Sequence, residues 1–289
     1  MVIPRESAAK KLISVVQLGT IDYATGLRLQ QRLIELRKDA RIGDVLLLLE
    51  HTPVITLGRN AESRNILASP ELLAHRGVEV FECDRGGDVT LHGPGQIVAY
   101  PIFDLRGFAT SDGKRKTLGA IEYVRKLEEV LIRACADFGI SAKRIPGLTG
   151  VWTDGPCGGG SSTRPDGAEP RPHTEQQTAK IAAIGVHISR GVTSHGFALN
   201  VNTDLSYFSL IVPCGIESKL VTSMEKELGK QVPLRDVAHS ISRNFGTVFE
   251  SQILWLENLD ALLGTSIGIP MRLPTELRRI RHEDETTWA

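Results

Sequence analysis

The stretch KIAAIGVHISRGVTSHGFALNVN, residues 180–202, contains two apolar extended segments, KIAAIGVHIS and HGFALNVN. Short apolar runs of the same kind precede it, including DVLLLLE at residues 44–50. That run is bounded by Gly43 and Pro53 and is typical of a buried strand. TPVITLGR, VEVFECD and QIVAYP are further strand candidates. These runs predict a β-sheet at the centre of the fold.

Helical patterns alternate with the strand candidates. Residues 22–40 have leucines at helical spacing, with Asp22 as the N-cap. Residues 117–140 and 234–250 each carry one apolar stripe. The two stripes comprise Ile121, Val124, Leu127, Leu131, Cys135 and Phe138, and then Val237, Ile241, Phe245 and Phe249. The alternation predicts an α/β or α+β class, with one domain.

Composition limits the function classes. The formal net charge is zero over 289 residues, so no broad surface for nucleic acid or an anionic membrane is predicted. No apolar run approaches the roughly 18 to 20 residues that cross a bilayer, and the N-terminal residues lack the apolar core of a signal peptide. We therefore predict a cytoplasmic protein with no nucleic-acid or membrane partner.

One region interrupts the periodic pattern. Residues 153–178 are dominated by Gly, Pro, Ser and Thr, which is typical of a flexible insert. Apolar segments resume directly after it, so the insert need not separate two domains. We predict a single catalytic domain over residues 1–250, with the flexible insert at 153–178. Residues 251–289 are predicted to be a C-terminal extension and not a separate domain.

The four cysteines form no CxxC pair and no Cys/His cluster at zinc spacing, which predicts free thiols and no metal site. Cys135 lies on a helical stripe and is expected to pack in the core, and Cys157 lies in the insert. Cys214 follows an apolar run and Pro213 in SLIVPCGIES. From these residues alone it is either a nucleophile on a tight turn or a small buried side chain.

Two further segments could carry chemistry. Residues 84–101, DRGGDVTLHGPGQIVAYP, concentrate glycines around Arg85 and His92. The segment continues as a strand rather than a helix, so it is not a nucleotide-binding GxGxxG loop, and no Walker A loop is present in the sequence. Lys180 opens an apolar strand. It is either exposed at a sheet edge or placed beside a thiol, whose pKa it would lower.

Three blocks in order, RGGDVTLHGPGQIVAYP, KIAAIGVHISRGVTSHGFALNVN and VPCGI…VTS, resemble the octanoyltransferases of lipoate biosynthesis, also called lipoyl(octanoyl) transferases. The family pattern RGGxxTxHxxGQ, with a tyrosine four residues later, is matched throughout. The matching residues are Arg85, Gly86, Gly87, Thr90, His92, Gly95, Gln96 and Tyr100. HTPVITLGR and the GVW of residues 150–152 also fit, and the resemblance covers roughly residues 12–249. The insert is longer than the family pattern, and the C-terminal tail has no counterpart.

The resemblance implies a fold like that of biotin and lipoate protein ligases, with a central mixed β-sheet flanked by helices. It implies transfer of an octanoyl group from octanoyl-acyl carrier protein to a specific lysine of lipoyl domains, the first step of endogenous protein lipoylation. Acceptors would be E2 subunits of 2-oxoacid dehydrogenases and the glycine cleavage H protein. No cofactor is implied.

The resemblance also assigns residues. Cys214 matches the nucleophile that forms an acyl thioester, and Lys180 matches the lysine that works with it. His195 matches the pattern without an assigned role. The implied substrate-binding residues are Arg85, Gly86, Gly87, Asp88, Val89, Thr90, Leu91, His92, Ala183, Ile184, Gly185, Gly196, Phe197 and Ala198.

Three alternatives remain at this point. The first is an ATP-dependent lipoate or biotin protein ligase of the same fold, although the GRGR-type adenylate loop of biotin ligases is missing from the sequence. The second is a hydrolase in which His92, His187 or His195 activates Cys214. The third is a non-catalytic acyl-binding module.

Overall fold

The computed structural model describes residues 10–108, 117–154, 178–212, 220–259 and 261–262. Its helices and strands, in chain order, are β1 (Leu12–Ile21), α1 (Tyr23–Lys38), β2 (Asp44–His51), β3 (Val54–Leu57), α2 (Pro70–His75), β4 (Glu79–Glu82), β5 (Val89–His92), β6 (Gln96–Ile102), α3 (Ala120–Ala136), β7 (Ala142–Ile145), β8 (Leu148–Thr153), β9 (Ala179–Ser189), β10 (Val192–Asn200), β11 (Leu220–Val221), α4 (Met224–Leu228), α5 (Leu234–Val248) and β12 (Gln252–Leu256).

Within the described residues, the main sheet has the order β12-β1-β2-β6-β10-β9-β8-β7, and β11 pairs with β9. The sheet is mixed, since β1 is parallel to β2 and β12 whereas β6 is antiparallel to β2 and β10. A second sheet has the order β4-β3-β5. The predicted mixed sheet with flanking helices is confirmed.

The pair formed by β9 and β10 is built from residues 179–200. The two strands are antiparallel and turn at Arg190 and Gly191, which both have positive φ, 53° and 83°. Two consecutive positive φ values suit the twist of a two-residue hairpin. Because β10 also pairs with β6, the hairpin lies in the interior of the sheet and not at its edge.

Helices α3 and α5 cover one face of the main sheet. Phe103 of the loop after β6 meets Phe245 and Phe249 edge-on in this core. The predicted α5 stripe is buried throughout. The prediction of the buried α3 stripe is wrong at its start, because Ile121 is 81% exposed. The helix is rotated so that Tyr123 faces the sheet instead, together with Val130 and Ala134.

Helix α1 begins as predicted, with the Asp22 carboxylate accepting a hydrogen bond from the Thr25 backbone N–H at 2.7 Å. At the other end of the chain, β12 pairs with β1 although it lies beyond residue 250. The division into a domain and an extension therefore stays a prediction. Most of the predicted insert, residues 155–177, lies outside the described residues, and Thr153 still belongs to β8.

Candidate active site

A pocket lies where the glycine-rich segment before β5 meets the β9–β10 pair. It contains about 490 Å³ of empty space, a volume that includes solvent at its mouth. The predicted substrate-binding residues that line it are Arg85, Gly87, Asp88, Val89, Thr90, His92, Ala183, Ile184, Gly185, Gly196, Phe197 and Ala198. Segments separated by about a hundred positions therefore share one cavity.

Gly86 and Leu91 do not line this pocket. The Gly86 N–H donates to the Val186 carbonyl at 3.0 Å, which joins the glycine-rich segment to β9. Leu91 is buried in the core of the small sheet. Both residues support the pocket wall from behind, and a direct role in substrate binding stays a prediction.

Glycine is required where the pocket walls approach each other. A Cβ atom on Gly185 would lie 2.6 Å from the Gly86 carbonyl oxygen. A Cβ on Gly196 would collide with the Ala99 carbonyl of the neighbouring strand. Since real side chains do not approach backbone so closely, these two glycines let the segments close around the cavity.

Arg85 is a buried cation that is fixed by uncharged acceptors. Its guanidinium donates to the Thr56 carbonyl at 2.6 Å, to the Asp88 carbonyl at 2.6 Å and to the Gly86 carbonyl at 3.1 Å, and also to the Thr56 hydroxyl. No ion pair to Arg85 occurs among the described residues. The side chain thus holds the glycine-rich segment against β3 and leaves little of its donor capacity for a ligand.

Tyr100 lines the pocket, and His51 is hydrogen-bonded to it from behind. His51 Nδ1 lies 2.9 Å from the Ile21 carbonyl, which can only accept, so Nδ1 carries the proton. Nε2 then accepts from the Tyr100 hydroxyl at 2.6 Å. Burial lowers the pKa of His51 to about 4 and raises the pKa of Tyr100. This wall is therefore polar but uncharged at neutral pH.

His92 is held by an amide chain. Gln96 Nε2 donates to the Leu91 carbonyl and to Asn200 Oδ1, which leaves Gln96 Oε1 to accept from His92 Nδ1 at 2.8 Å. In the neutral ring Nε2 is therefore an acceptor only. Burial first, and then the nearby His51, lower the pKa of His92 to about 3. An imidazole nitrogen with so low a pKa is a weak general base at neutral pH.

His195 lines the pocket in a left-handed backbone conformation with φ 53°. Its N–H is held by Gln30 Oε1 at 2.8 Å, and its Nε2 donates to an Asp84 carboxylate oxygen at 2.7 Å. Burial lowers the pKa of His195 despite this carboxylate. Burial raises the pKa of Asp84, but the hydrogen bond from His195 and the proximity of His195 and His187 together lower it further than burial raises it. His187 lies 3.2 Å from the other Asp84 oxygen.

Lys180 does not line the pocket, but it lies on β9 three residues before Ala183, on the order of 10 Å along the strand. Its side chain is half-buried, and its Nζ lies 4.7 Å from the centroid of the Trp152 ring. Cys214 lies outside the described residues. The last described residue before Cys214 is Val212, whose N–H donates to the Asn65 carbonyl. The first described residue after it is Leu220, which pairs with Ala179 of β9.

Four pocket residues were not among the predicted substrate-binding set: Tyr23, Val98, Tyr100 and His195. Tyr100 and His195 match the family pattern, so the signal existed without an assigned chemistry. Tyr23 is the first residue of α1 and Val98 is one of several apolar residues in β6. Nothing local in the sequence distinguishes either residue from core.

Cys135 is fully buried in the main core, and burial raises the pKa of its thiol to about 12, as expected of a packing residue. Cys83 is also a free thiol, whereas Cys157 lies outside the described residues. Across the described parts of the chain, no group of His, Cys, Asp and Glu side chains is arranged to hold a metal ion. No helix in those parts is long and apolar enough to span a membrane.

Comparisons with known proteins agree on one family. Residues 22–246 match the family described as lipoyl protein ligase A/B catalytic domain. An octanoyltransferase of Koribacter versatilis is 57% identical over 274 residues, covering 95% of this chain and 98% of that protein. An octanoyltransferase of Acidobacterium capsulatum is 56% identical over 254 residues, covering 87% and 96%.

Solved structures agree at the level of the fold. A bipartite lipoate protein ligase from Thermoplasma acidophilum matches with a TM-score of 0.61 at 14% identity, covering 94% of this chain and 91% of that one. A lipoate-protein ligase A bound with ATP matches with a TM-score of 0.59 at 13% identity, covering 93% and 92%. The predicted lipoate ligase-like fold is confirmed, and the chain belongs to the lipoyl protein ligase A/B catalytic-domain family.

Proposed function

We propose that this protein transfers an octanoyl group from octanoyl-acyl carrier protein to a specific lysine of lipoyl domains through a thioester on Cys214. The observation that carries the proposal is the pocket. Its walls are the glycine-rich segment, β9 and β10, and Lys180 lies on β9 a few residues from the pocket lining. Curated relatives at 56–57% identity are octanoyltransferases, which supports the same acyl group.

In the first step the Cys214 thiolate attacks the carbonyl carbon of the donor thioester, and the carrier sulfur leaves as a thiol after taking a proton from the Lys180 ammonium, which leaves Lys180 neutral for the second step. An ammonium close to a thiol lowers its pKa and enlarges the thiolate fraction. Lys180 is the candidate for that cation. Because one thioester is exchanged for another, the step is nearly balanced in energy.

In the second step the amine of the acceptor lysine attacks the Cys214 thioester. The amine loses a proton to a general base, the amide forms, and the Cys214 thiolate leaves. Lys180 in its neutral form is the candidate base. The pocket histidines are poorer candidates, since burial lowers the pKa of His92 to about 3 and also lowers the pKa of His195.

The pocket interior suits a medium-length acyl chain. Ala183 and Ala198 contribute small apolar side chains to the pocket lining, and Phe197 contributes a larger apolar surface. E2 subunits of 2-oxoacid dehydrogenases and the glycine cleavage H protein are the proposed acceptors. A reducing compartment such as the cytoplasm suits a catalytic thiol.

One observation favours a second candidate. The Asp84–His195 pair has the geometry in which a carboxylate orients a histidine, and His195 reaches the pocket. A hydrolase could use that pair to activate Cys214 and release octanoate to water. The test is to measure octanoate release in the absence of a lipoyl domain. A release rate equal to the rate of octanoyl transfer measured in the presence of a lipoyl domain would favour the hydrolase.

The decisive variants are those of the cysteines. We expect Cys214→Ala to abolish transfer of octanoyl from acyl carrier protein to a purified lipoyl domain, because the nucleophile is lost. Cys83→Ala, Cys135→Ala and Cys157→Ala are the matched controls and should retain most of the activity. Normal transfer by Cys214→Ala would overturn the proposal.

A parallel assay with free octanoate and ATP separates the proposal from the ligase of the same fold. Little or no acceptor modification is expected, because the proposed route takes its acyl group from a thioester and consumes no nucleotide. Efficient ATP-dependent modification by Cys214→Ala would identify a ligase.

A further inference from the structure

The strand that carries Lys180 contains a β-bulge directly beside it. Val151 of β8 pairs with Ala182, but the next residue, Trp152, pairs with Lys180. Ile181 is therefore an extra residue on β9. Ile181 and Ala182 both belong to the main core, although neighbouring residues of a regular strand face opposite sides.

The bulge decides which way the lysine points. Ala182 belongs to the main core, and in a regular strand every second residue shares a face, so residue 180 would face that core as well. With one extra residue in between, Lys180 is moved to the opposite face, as is Trp152, which follows the core residue Val151 on β8. Bulges near active sites often redirect a side chain in this way.

The bulge also puts Lys180 directly opposite Trp152. The Lys180 ammonium lies 4.7 Å from the centroid of the indole ring, within the range of a cation–π interaction. Trp152 is only 1% exposed, so its face is largely shielded from water. Desolvated cation–π contacts are stronger than exposed ones, which makes this contact a firm point of attachment for a flexible side chain.

Gly150, which lies on β8 together with Trp152, leaves room for the Lys180 side chain. A Cβ atom on Gly150 would lie 3.4 Å from Lys180 Cε and 3.7 Å from Nζ, and 2.7 Å from the Ala182 carbonyl oxygen. The φ of Gly150 is 121°, a backbone angle that residues with a side chain rarely adopt. Its N–H donates at 3.3 Å to Glu128, a fully buried carboxylate paired with two arginines.

From this geometry we infer that Trp152 is a positioning residue, which holds the Lys180 ammonium over its indole face so that it points toward the pocket. The inference rests on the proposed function for the catalytic role of Lys180, but not for the contact itself. Loss of the indole face should remove one stabilising contact of the ammonium, make the amine easier to acylate and slow transfer. On this inference Gly150 and Trp152 of the GVW segment have a role in placing Lys180 in addition to packing.

The test keeps the shape of residue 152 and changes only its electrostatics. The chain has three tryptophans, so Trp255→Phe and Trp288→Phe leave Trp152 alone. This protein is produced with tryptophan, monofluorotryptophan or tetrafluorotryptophan, which progressively weaken the negative face of the ring. Acetic anhydride labelling at fixed pH, read by peptide mass spectrometry, then reports the reactivity of each lysine.

We expect the labelling rate of Lys180 to rise stepwise along the series, by about two- to tenfold overall, and the transfer rate to fall in parallel. Lys11 and Lys126 are internal controls, because they lie over Phe108 and Phe249 and should not respond. A flat Lys180 labelling rate, or an equal change at Lys126, overturns the inference even if the proposed function holds.

Conventional variants give the second readout. Trp152→Phe should retain part of the transfer rate because it keeps an aromatic face, whereas Trp152→Leu should lose more at comparable thermal stability. Equal transfer by the two variants contradicts positioning by the ring. If Lys180 labelling responds to the fluorinated series while Lys180→Met still transfers octanoate normally, the positioning stands and the proposed catalytic role of Lys180 fails.

Discussion

Arg85 lines the pocket and Lys180 lies a few residues from it on β9, and the described contacts of these two cations differ. Arg85 is 7% exposed and donates to three backbone carbonyls and one hydroxyl. Lys180 is half-buried, and its ammonium lies over the face of an aromatic ring. The guanidinium is fixed by directional bonds, whereas the cation–π contact of Lys180 does not by itself direct the individual N–H groups.

The difference fits the roles proposed for the two cations, structural for Arg85 and chemical for Lys180. A guanidinium stays protonated in proteins, so Arg85 supplies constant positive charge and shape to the pocket wall. A lysine amine can give up its proton and recover it during a reaction. A cation–π contact stabilises the charged form without occupying all three N–H donors. The first cation therefore organises the pocket, and the second is suited to proton transfer.

The largest expected effect is on transfer by Lys180→Met. We expect the rate to fall by about 10²-fold or more, the size typical of losing a general base. The free energy of unfolding should change little, because the side chain is partly solvated. Lys126→Met is the matched control, since Lys126 also lies over an aromatic ring but on α3. Equal transfer by the two variants would remove the distinction between the cations.

Arg85→Met should act mainly on stability. Removing the guanidinium leaves the carbonyls of Thr56, Gly86 and Asp88 without a donor in a buried place. We expect the free energy of unfolding in urea to fall by roughly 2–4 kcal/mol, with transfer falling in step. Loss of transfer at full stability would instead assign Arg85 a direct chemical role.

Acid should destabilise the pocket wall that adjoins Arg85. Burial lowers the pKa of His51 to about 4 and of His92 to about 3, so the unfolded chain binds protons first as the pH falls below about 6.5. Stability is therefore lost as the pH falls from 6.5 toward the folded-state values, by roughly 2–3 kcal/mol per histidine at pH 4.

Urea unfolding of His51→Gln and His92→Gln between pH 7 and pH 4 checks this dependence. Each variant should show a flatter curve than the parent protein. Exposed His75 is the control, because His75→Gln should leave the slope unchanged. A slope unchanged in the two buried variants would mean that these rings are already charged in the folded protein.

The smallest effect is expected for Cys135→Ala. The thiol is fully buried in the core beneath α3, away from both cations. Truncation should cost about 1 kcal/mol of unfolding free energy and leave the transfer rate unchanged. A transfer rate that falls much further than stability would show that this side of the sheet influences the pocket.

Much of this architecture could be predicted from the sequence. Alternating apolar runs and helical stripes identified the elements, because burial on one face imposes those periods. The pocket walls, in the RGG segment and in residues 183–185 and 196–198, were implied by the resemblance to the octanoyltransferases and not by the local pattern. What could not be predicted depends on long-range register. The bulge at Ile181 and the pairing of Trp152 with Lys180 have no local signature, because a bulge is defined by the partner strand.

Other residues were missed for related reasons. Ile121 fits a helical stripe but lies on the exposed side, since the actual rotation of α3 is set by the sheet beneath it. Tyr23 reaches the pocket only because α1 begins beside it. Asp84 opens the glycine-rich segment, but its partner His195 is 111 residues away in the chain.

The central claim is that Cys214 carries the octanoyl group with the help of Lys180. The most direct measurement is intact mass spectrometry of the protein after mixing with octanoyl-acyl carrier protein in the absence of acceptor, followed by peptide mapping. We predict the added mass of one octanoyl group on Cys214, removable by hydroxylamine and formed much more slowly by Lys180→Met. An unmodified Cys214 in a preparation that transfers octanoate to a lipoyl domain would contradict the account.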